Sequence, residues 1–213
     1  MLTERVTLLT CLITILHVTA SYSQGAYLDK GTDGFGVGLA FARNTEVEGL
    51  TWTAGYSDNG ILDISASVTK LRIGYERPLS WGFALTFYPV KQHMPTWPLS
   101  IAIEAAVNIT TEGGGTVSSL GIYLLKRIRL SRIVSLQPLV GAIYAGSLEA
   151  QGQSKTAFAL GLPVVFKPSQ KTMLVITPGV VVDEDYGTPG IGLELIFTIP
   201  EKTIGALDDR DAF

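Results

Sequence analysis

Residues 34–43 read Gly34-Phe-Gly-Val-Gly-Leu-Ala-Phe-Ala-Arg43. In an extended chain, successive side chains point to opposite sides. Phe35, Val37, Leu39 and Phe41 therefore share one face, and Gly34, Gly36, Gly38, Ala40 and Ala42 share the other. A soluble antiparallel sheet carries polar, often charged residues on the face turned from its core. Here that second face carries side chains with almost no volume. Small residues turned inward suit a narrow barrel, whose interior has little room. The apolar row then faces lipid.

The same period spreads along the chain. Leu50, Trp52, Ala54 and Tyr56 alternate with Thr51, Thr53, Gly55 and Ser57, and Asp58-Asn59-Gly60 supplies a tight turn with residues that tolerate positive φ. Over 61–77, Leu62, Ile64, Ala66 and Val68 share a face, whereas Leu71, Ile73 and Tyr75 sit out of phase with them. A bulge near Thr69 inside one long strand, or a turn between two short strands, would cause that slip, and one bulged strand gives the even count. Trp81, Phe83, Leu85 and Phe87 mark the next strand. Ile101, Ile103, Ala105, Val107 and Ile109 then oppose Ser100, Ala102, Glu104, Ala106 and Asn108. Further strands fall at 117–129, 133–147, 155–167, 172–182 and 190–199. The fold expected is all-β: a single antiparallel up-and-down transmembrane β-barrel of about ten strands, with eight and twelve as the neighbouring even counts. From residue 110 onward long and short connections alternate, as such barrels require, and the long stretch 89–98 is the exception.

Composition agrees. Hydrophobic residues make up 46% and charged residues 16%, against about 25% charge in ordinary soluble domains. That excludes a disordered chain. A net charge of -3 gives no basic face for nucleic acid. Glycine numbers 23 of 213 residues.

The ends read differently. Residues 1–23 have the form of a secretory signal peptide: Arg5, an apolar run from Val6 to Ala20 that is too short to span a bilayer, then small residues at Ser21 and Ser23. Val18-Thr-Ala20 and Ser21-Tyr-Ser23 both fit the cleavage pocket, and the favoured cut, after Ser23, leaves Gln24 first. Cys11, the single cysteine, lies in this segment, so the mature chain has no disulfide or thiol chemistry. The division expected is a signal peptide over 1–23, the barrel over 24–199 and a polar tail over 200–213.

The glycine-rich alternation, the signal segment and the closing strand Gly190-Ile-Gly-Leu-Glu-Leu-Ile-Phe-Thr-Ile199 resemble the small, porin-like outer-membrane β-barrel proteins of bacteria. Phe213 matches the terminal Phe usual in that family, but Asp208-Asp209-Arg210-Asp211 before it do not alternate. The resemblance implies residence in the outer membrane, assembly by the barrel-assembly machinery, and a structural or small-solute passage role.

Motifs for catalysis are sparse. His93 is the only histidine outside the first segment, so a Ser-His-Asp arrangement has a single possible base and a Cys/His metal site lacks ligands. Glu112-Gly113-Gly114-Gly115 lacks the Lys-Ser/Thr ending of a phosphate loop. Asp183-Glu184-Asp185 reads as a solvated loop rather than a Ca²⁺ site. The chain is expected to be no enzyme and to hold no cofactor or metal. Trp52, Trp81, Tyr56, Tyr75, Tyr88 and Tyr144 are candidates for aromatic girdles at the membrane interfaces. Lys126, Arg127, Arg129 and Arg132 gather at one turn, where cations snorkel to headgroups. Glu104 and Glu194 sit mid-strand on the small-residue face, so they are expected in a polar lumen network with Arg72 and Lys126 as partners. The rival readings are a secreted, lipocalin-like barrel for an apolar ligand, with an apolar lumen, and an outer-membrane hydrolase relying on His93.

Overall fold

The computed structural model describes residues 24–45, 47–92, 98–111, 115–148, 154–184 and 187–199. The signal segment with Cys11, the polar tail with Phe213, and His93 and Asp185 lie outside the described residues. A 3₁₀ turn, Gln24–Ala26, precedes the strands β1 (Asp33–Arg43), β2 (Val47–Asp58), β3 (Leu62–Ile73), β4 (Leu79–Val90), β5 (Ser100–Thr110) and β6 (Gly115–Leu125). There follow β7 (Ile128–Arg129), β8 (Val134–Leu136), β9 (Leu139–Ser147), β10 (Ser154–Gly161), β11 (Val164–Phe166), β12 (Thr172–Val182) and β13 (Gly187–Ile199).

All pairings are antiparallel. β1 pairs with both β2 and β13, and β10 pairs with β12, so the sheet closes on itself. The short segments β7, β8 and β11 are continuations of their neighbours. Leu139 faces Gly161 and Leu136 faces Val164, the offset an unbroken strand would keep. Leu125 faces Leu139 and Ile128 faces Leu136 in the same way. The ladder lapses at Pro138 and Pro163, which have no N–H to donate. Joining these pieces gives a closed barrel of ten strands, as the alternation predicted.

Asp33 opposite Ile199 puts the start of β1 and the end of β13 at one rim, termed the near rim. Asn59 and Gly60 close the β2–β3 hairpin there with φ of 54° and 60°, in a three-residue loop between the paired Asp58 and Leu62. A side chain at Gly60 would also meet the Asp29 carbonyl oxygen at 2.7 Å. β3 departs from expectation. Its register with β2 runs unbroken from Leu62 to Ile73, and no bulge occurs at Thr69. Leu71 is out of phase because it points inward, fully buried, near the far rim. The irregularity lies instead between Phe87 and Val90 on β4, where Pro89 interrupts pairing.

Candidate functional site

Parity fixes what each wall of the barrel presents. Phe35, Val37, Leu39 and Phe41 face outward on β1, Phe83, Leu85 and Phe87 on β4, and Leu120, Ile122 and Leu124 on β6. The alternate positions are buried in the interior. Among the described residues, no helix is long and apolar enough to cross a membrane. The outward belt instead gives each strand a lipid-facing row, and the sheet has no open edge between β1 and β13 or between β10 and β12. The architecture is that of a closed antiparallel β-barrel with an apolar exterior.

No family of known proteins and no curated protein matches the sequence. Solved structures that resemble it include outer-membrane proteins. The translocator domain of the autotransporter NalP from Neisseria meningitidis is 9% identical with a TM-score of 0.46, covering 85% of this chain and 92% of that one. The outer membrane protein Ail from Yersinia pestis is 16% identical with a TM-score of 0.37, covering 79% and 99%. The KdgM porin, solved with disordered oligogalacturonate, is 8% identical with a TM-score of 0.41, covering 77% and 99%. These are likenesses of fold alone.

The interior has two characters. β2 to β5 line it with Thr51, Ser57, Asp63, Ser67, Thr69, Thr86, Glu104 and Asn108, all buried. β9 to β12 line it with Ile143, Ala145, Ala157, Ala159, Met173, Val175 and Val181, also buried. On the polar wall, the Thr51 and Thr69 hydroxyls share a hydrogen bond of 2.8 Å, and Thr110 donates to Ser80 at 3.1 Å. Glu104 is 6% exposed. Its carboxylate accepts from the Thr86 hydroxyl and the Tyr123 hydroxyl, each at 3.4 Å. Tyr123 reaches it by lying flat across Gly121 and Gly141. A Cβ at Gly121 would fall 2.6 Å from the Tyr123 hydroxyl, and one at Gly141 would run into Tyr123 Cδ1. Glycine at both positions is what admits the ring.

The near rim is stoppered. Residues 24–28 turn into the barrel, and Gln24, Ala26, Tyr27 and Leu28 are buried. The Gln24 side chain hydrogen-bonds Glu194 and occupies the space over Gly36 and Gly55. The Gly25 N–H donates to Asp63 Oδ2 at 2.8 Å. The buried Gln137 Nε2 donates to the Ala26 carbonyl at 2.8 Å. Lys91 Nζ donates to the carbonyls of Gly25 and Leu28 and lies 4.5 Å from the Tyr88 ring centre. Arg127 donates to the carbonyls of Ala26 and Tyr27 and pairs with Asp29 at 2.7 Å. Gln92 locks the two clamps together, accepting from Arg127 N at 2.6 Å and donating to the Arg127 carbonyl at 3.1 Å. The long connection after β4 thus begins with the residues that hold the plug.

Burial pushes the Lys91 ammonium down to about 7, aided by Arg127 and opposed by Asp63 and Asp29. Burial alone would raise the Asp29 carboxyl, but its pairing with Arg127 outweighs that and holds it below its ordinary value.

Glu104 and Glu194 both lie on interior-facing positions, and their partners are Tyr123, Thr86 and Gln24. Arg72 does not join them. β3 keeps strict alternation, so Arg72 shares the outward face with Ile64 and stands opposite Glu48 near the far rim. Lys126 follows the parity of Ile122 and Leu124 and is exposed. Of the girdle candidates, Trp52, Trp81, Tyr56, Tyr75 and Tyr144 are exposed. Tyr88 is not: it is 3% exposed, because it alternates with the outward Phe87 and turns inward. Arg127 likewise bends to the plug, while Lys126, Arg129 and Arg132 stay exposed. Sequence reasoning missed Gln24, Asp63, Lys91, Tyr123 and Gln137. Parity alone would have found Tyr123, which sits between Gly121 and Leu125 on the inward face. Among the described residues, no three His, Cys, Asp or Glu gather to hold a metal.

Proposed function

We propose that this protein resides in the bacterial outer membrane as a barrel closed at rest by residues 24–28, and that it passes small cations when that plug withdraws. The observation that carries this is the polar wall. It runs from Asp63 at the near rim through Thr86 and Glu104 to Asn108 and Thr110 near the far rim. Carboxylates along such a wall favour cations. Residues 1–23 would direct export and be removed, the barrel-assembly machinery would insert the strands, and the bilayer would be the main partner. The role proposed is closure and passage rather than catalysis.

The tight burial of the interior favours a second reading, a purely structural barrel. Planar-bilayer conductance separates them. Wild type should be closed for most of the record. Gln137→Ala, which removes the shorter of the two donors to the Ala26 carbonyl, should raise the open fraction several-fold, and adding Glu104→Gln should reduce cation preference in the open state. Silence in both variants, with the folded barrel verified by its gel mobility before boiling, would leave only the structural reading.

A further inference from the structure

Cross-strand partners point to the same side of a sheet, so the interior wall of β3, β4 and β5 is built in levels. Toward the far rim, Thr69, Ser80 and Thr110 form one level, and its hydroxyls are satisfied by the Thr51–Thr69 and Thr110–Ser80 hydrogen bonds. The next level toward the near rim is Ser67, Gly82 and Asn108. Ser67 is 5% exposed and Asn108 3%. Even so, Ser67 Oγ and Asn108 Nδ2 meet no hydrogen-bond partner among the described residues. The glycine between them is the reason. Adjacent strands lie about 4.8 Å apart, which sets Ser67 and Asn108 about 10 Å apart at their Cα atoms, and Gly82 puts no side chain into that span. Neighbours on either side supply nothing. Thr53 turns its hydroxyl the other way, 2.7 Å from where a Cβ on Gly38 would stand, and Val117 beside Asn108 is apolar. Ala84 and Ala106 close the near-rim side with methyl groups. The wall thus carries a notch one side chain wide, with hydroxyls on one side, methyls on the other and an unpaired polar atom at each end.

We propose that this notch is a binding site for a short neutral polyol, one hydroxyl of which is held between Ser67 and Asn108. A buried donor left unpaired is costly, and native proteins satisfy nearly all of them. Asn108 Nδ2 only donates, while the Ser67 hydroxyl donates or accepts. A metal cation cannot accept from the amide nitrogen. An anion would be stripped of water with Glu104 only two inward positions away on β5. A hydroxyl accepts from the amide and bonds Ser67, and it serves equally well if the amide oxygen and nitrogen exchange places. Water has that chemistry too, but it makes no use of the rest of the notch. The carbon chain of a polyol rests on Ala84, Ala106 and Val117. Its further hydroxyls reach the level of Thr69, Ser80 and Thr110, about 7 Å away along the strands, where each paired oxygen keeps a spare lone pair. The inference goes beyond the passage of cations and does not depend on it.

Erythritol is the probe. The purified protein is refolded in detergent micelles at a series of erythritol concentrations, so that entry to the interior does not limit occupancy. The side-chain amide of Asn108, identified in an amide ¹⁵N correlation spectrum by its loss in Asn108→Leu, should shift with erythritol and saturate. Ser67→Ala should weaken binding about 2- to 10-fold, the worth of one hydrogen bond. Gly82→Val, which fills the notch, should abolish the saturable shift. A shift that only rises linearly, as any cosolvent gives, overturns the proposal, and so does equal affinity in Ser67→Ala. Magnetisation transfer from water to the amide that erythritol leaves unchanged would show bound water alone, which also overturns it. Should Gly82→Val fail to fold, Ser67→Ala still decides. Conductance is recorded separately, so a barrel that never opens removes the passage reading and leaves this one standing.

Discussion

Arg127 and Asp29 meet at 2.7 Å across the near rim, joining the turn after β6 to the segment that enters the barrel. Asp29 is largely exposed, so the ion pair itself contributes little. The other arm of the guanidinium matters more, because it satisfies the carbonyls of Ala26 and Tyr27. One planar group thus fixes three acceptors on a strand-free stretch of chain.

Arg127→Ala should therefore destabilise the barrel by about 1–3 kcal/mol, the worth of charge-assisted hydrogen bonds to buried carbonyls. Asp29→Asn should cost well under half of that. Arg127→Lys should recover little, since an ammonium cannot reproduce the fork. Urea unfolding in detergent micelles, followed by tryptophan fluorescence, would check the ranking. Equal losses for Arg127→Ala and Asp29→Asn would contradict it.

Lys91 should give stability a pH dependence of defined sign. Its ammonium is held at about 7 in the folded barrel by burial, whereas the unfolded chain keeps the ordinary value near 10.4. Between those values the unfolded state binds more protons, so stability rises with pH from about 7 to about 10. The melting temperature of wild type minus that of Lys91→Met should climb across that window. A flat or falling difference would show that Lys91 is not desolvated by the plug.

Gly141 should not tolerate a methyl group. Gly141→Ala would drive a Cβ into the Tyr123 ring, and overpacking of this kind costs about 1–3 kcal/mol. In a Tyr123→Ala background the same substitution should be nearly neutral, so the pair should couple strongly in a double-mutant cycle. Additive losses would mean that the ring does not rest on Gly141.

The outer belt should sense depth. Leu85→Arg, mid-strand on β4 and 47% exposed, should cost about 2–4 kcal/mol in lipid vesicles. Leu130→Arg, exposed beyond β7 near the rim, should cost about 0–1 kcal/mol. Both should cost little if the exterior met water instead of lipid, which makes the comparison a test of the membrane setting.

The barrel was legible from residues such as Phe35 to Phe41 because strand parity is a local property. A side chain's face follows from its position, and the small residues opposite exclude a water-facing surface. Tyr88 alternates with Phe87 and so faces inward, unlike Trp81, and Leu71 is an apolar residue on the inward face, which hydropathy alone mistakes for a slip in register. Inside the barrel near its rims, apolar residues pack as a core, so hydropathy no longer reports the face.

Strand parity and the apolar outward row were determined by the sequence itself, because each depends on neighbours one or two residues away. The plug was decided only by the tertiary structure. Lys91, Arg127 and Gln137 converge on carbonyls of residues 25–28, yet about 60 to 110 residues separate them from those acceptors. No periodicity encodes a contact made by closing a ring of strands. The same holds for Glu194 and Gln24, at opposite ends of the described chain, which meet because β13 pairs with β1 and the first residues turn into the barrel.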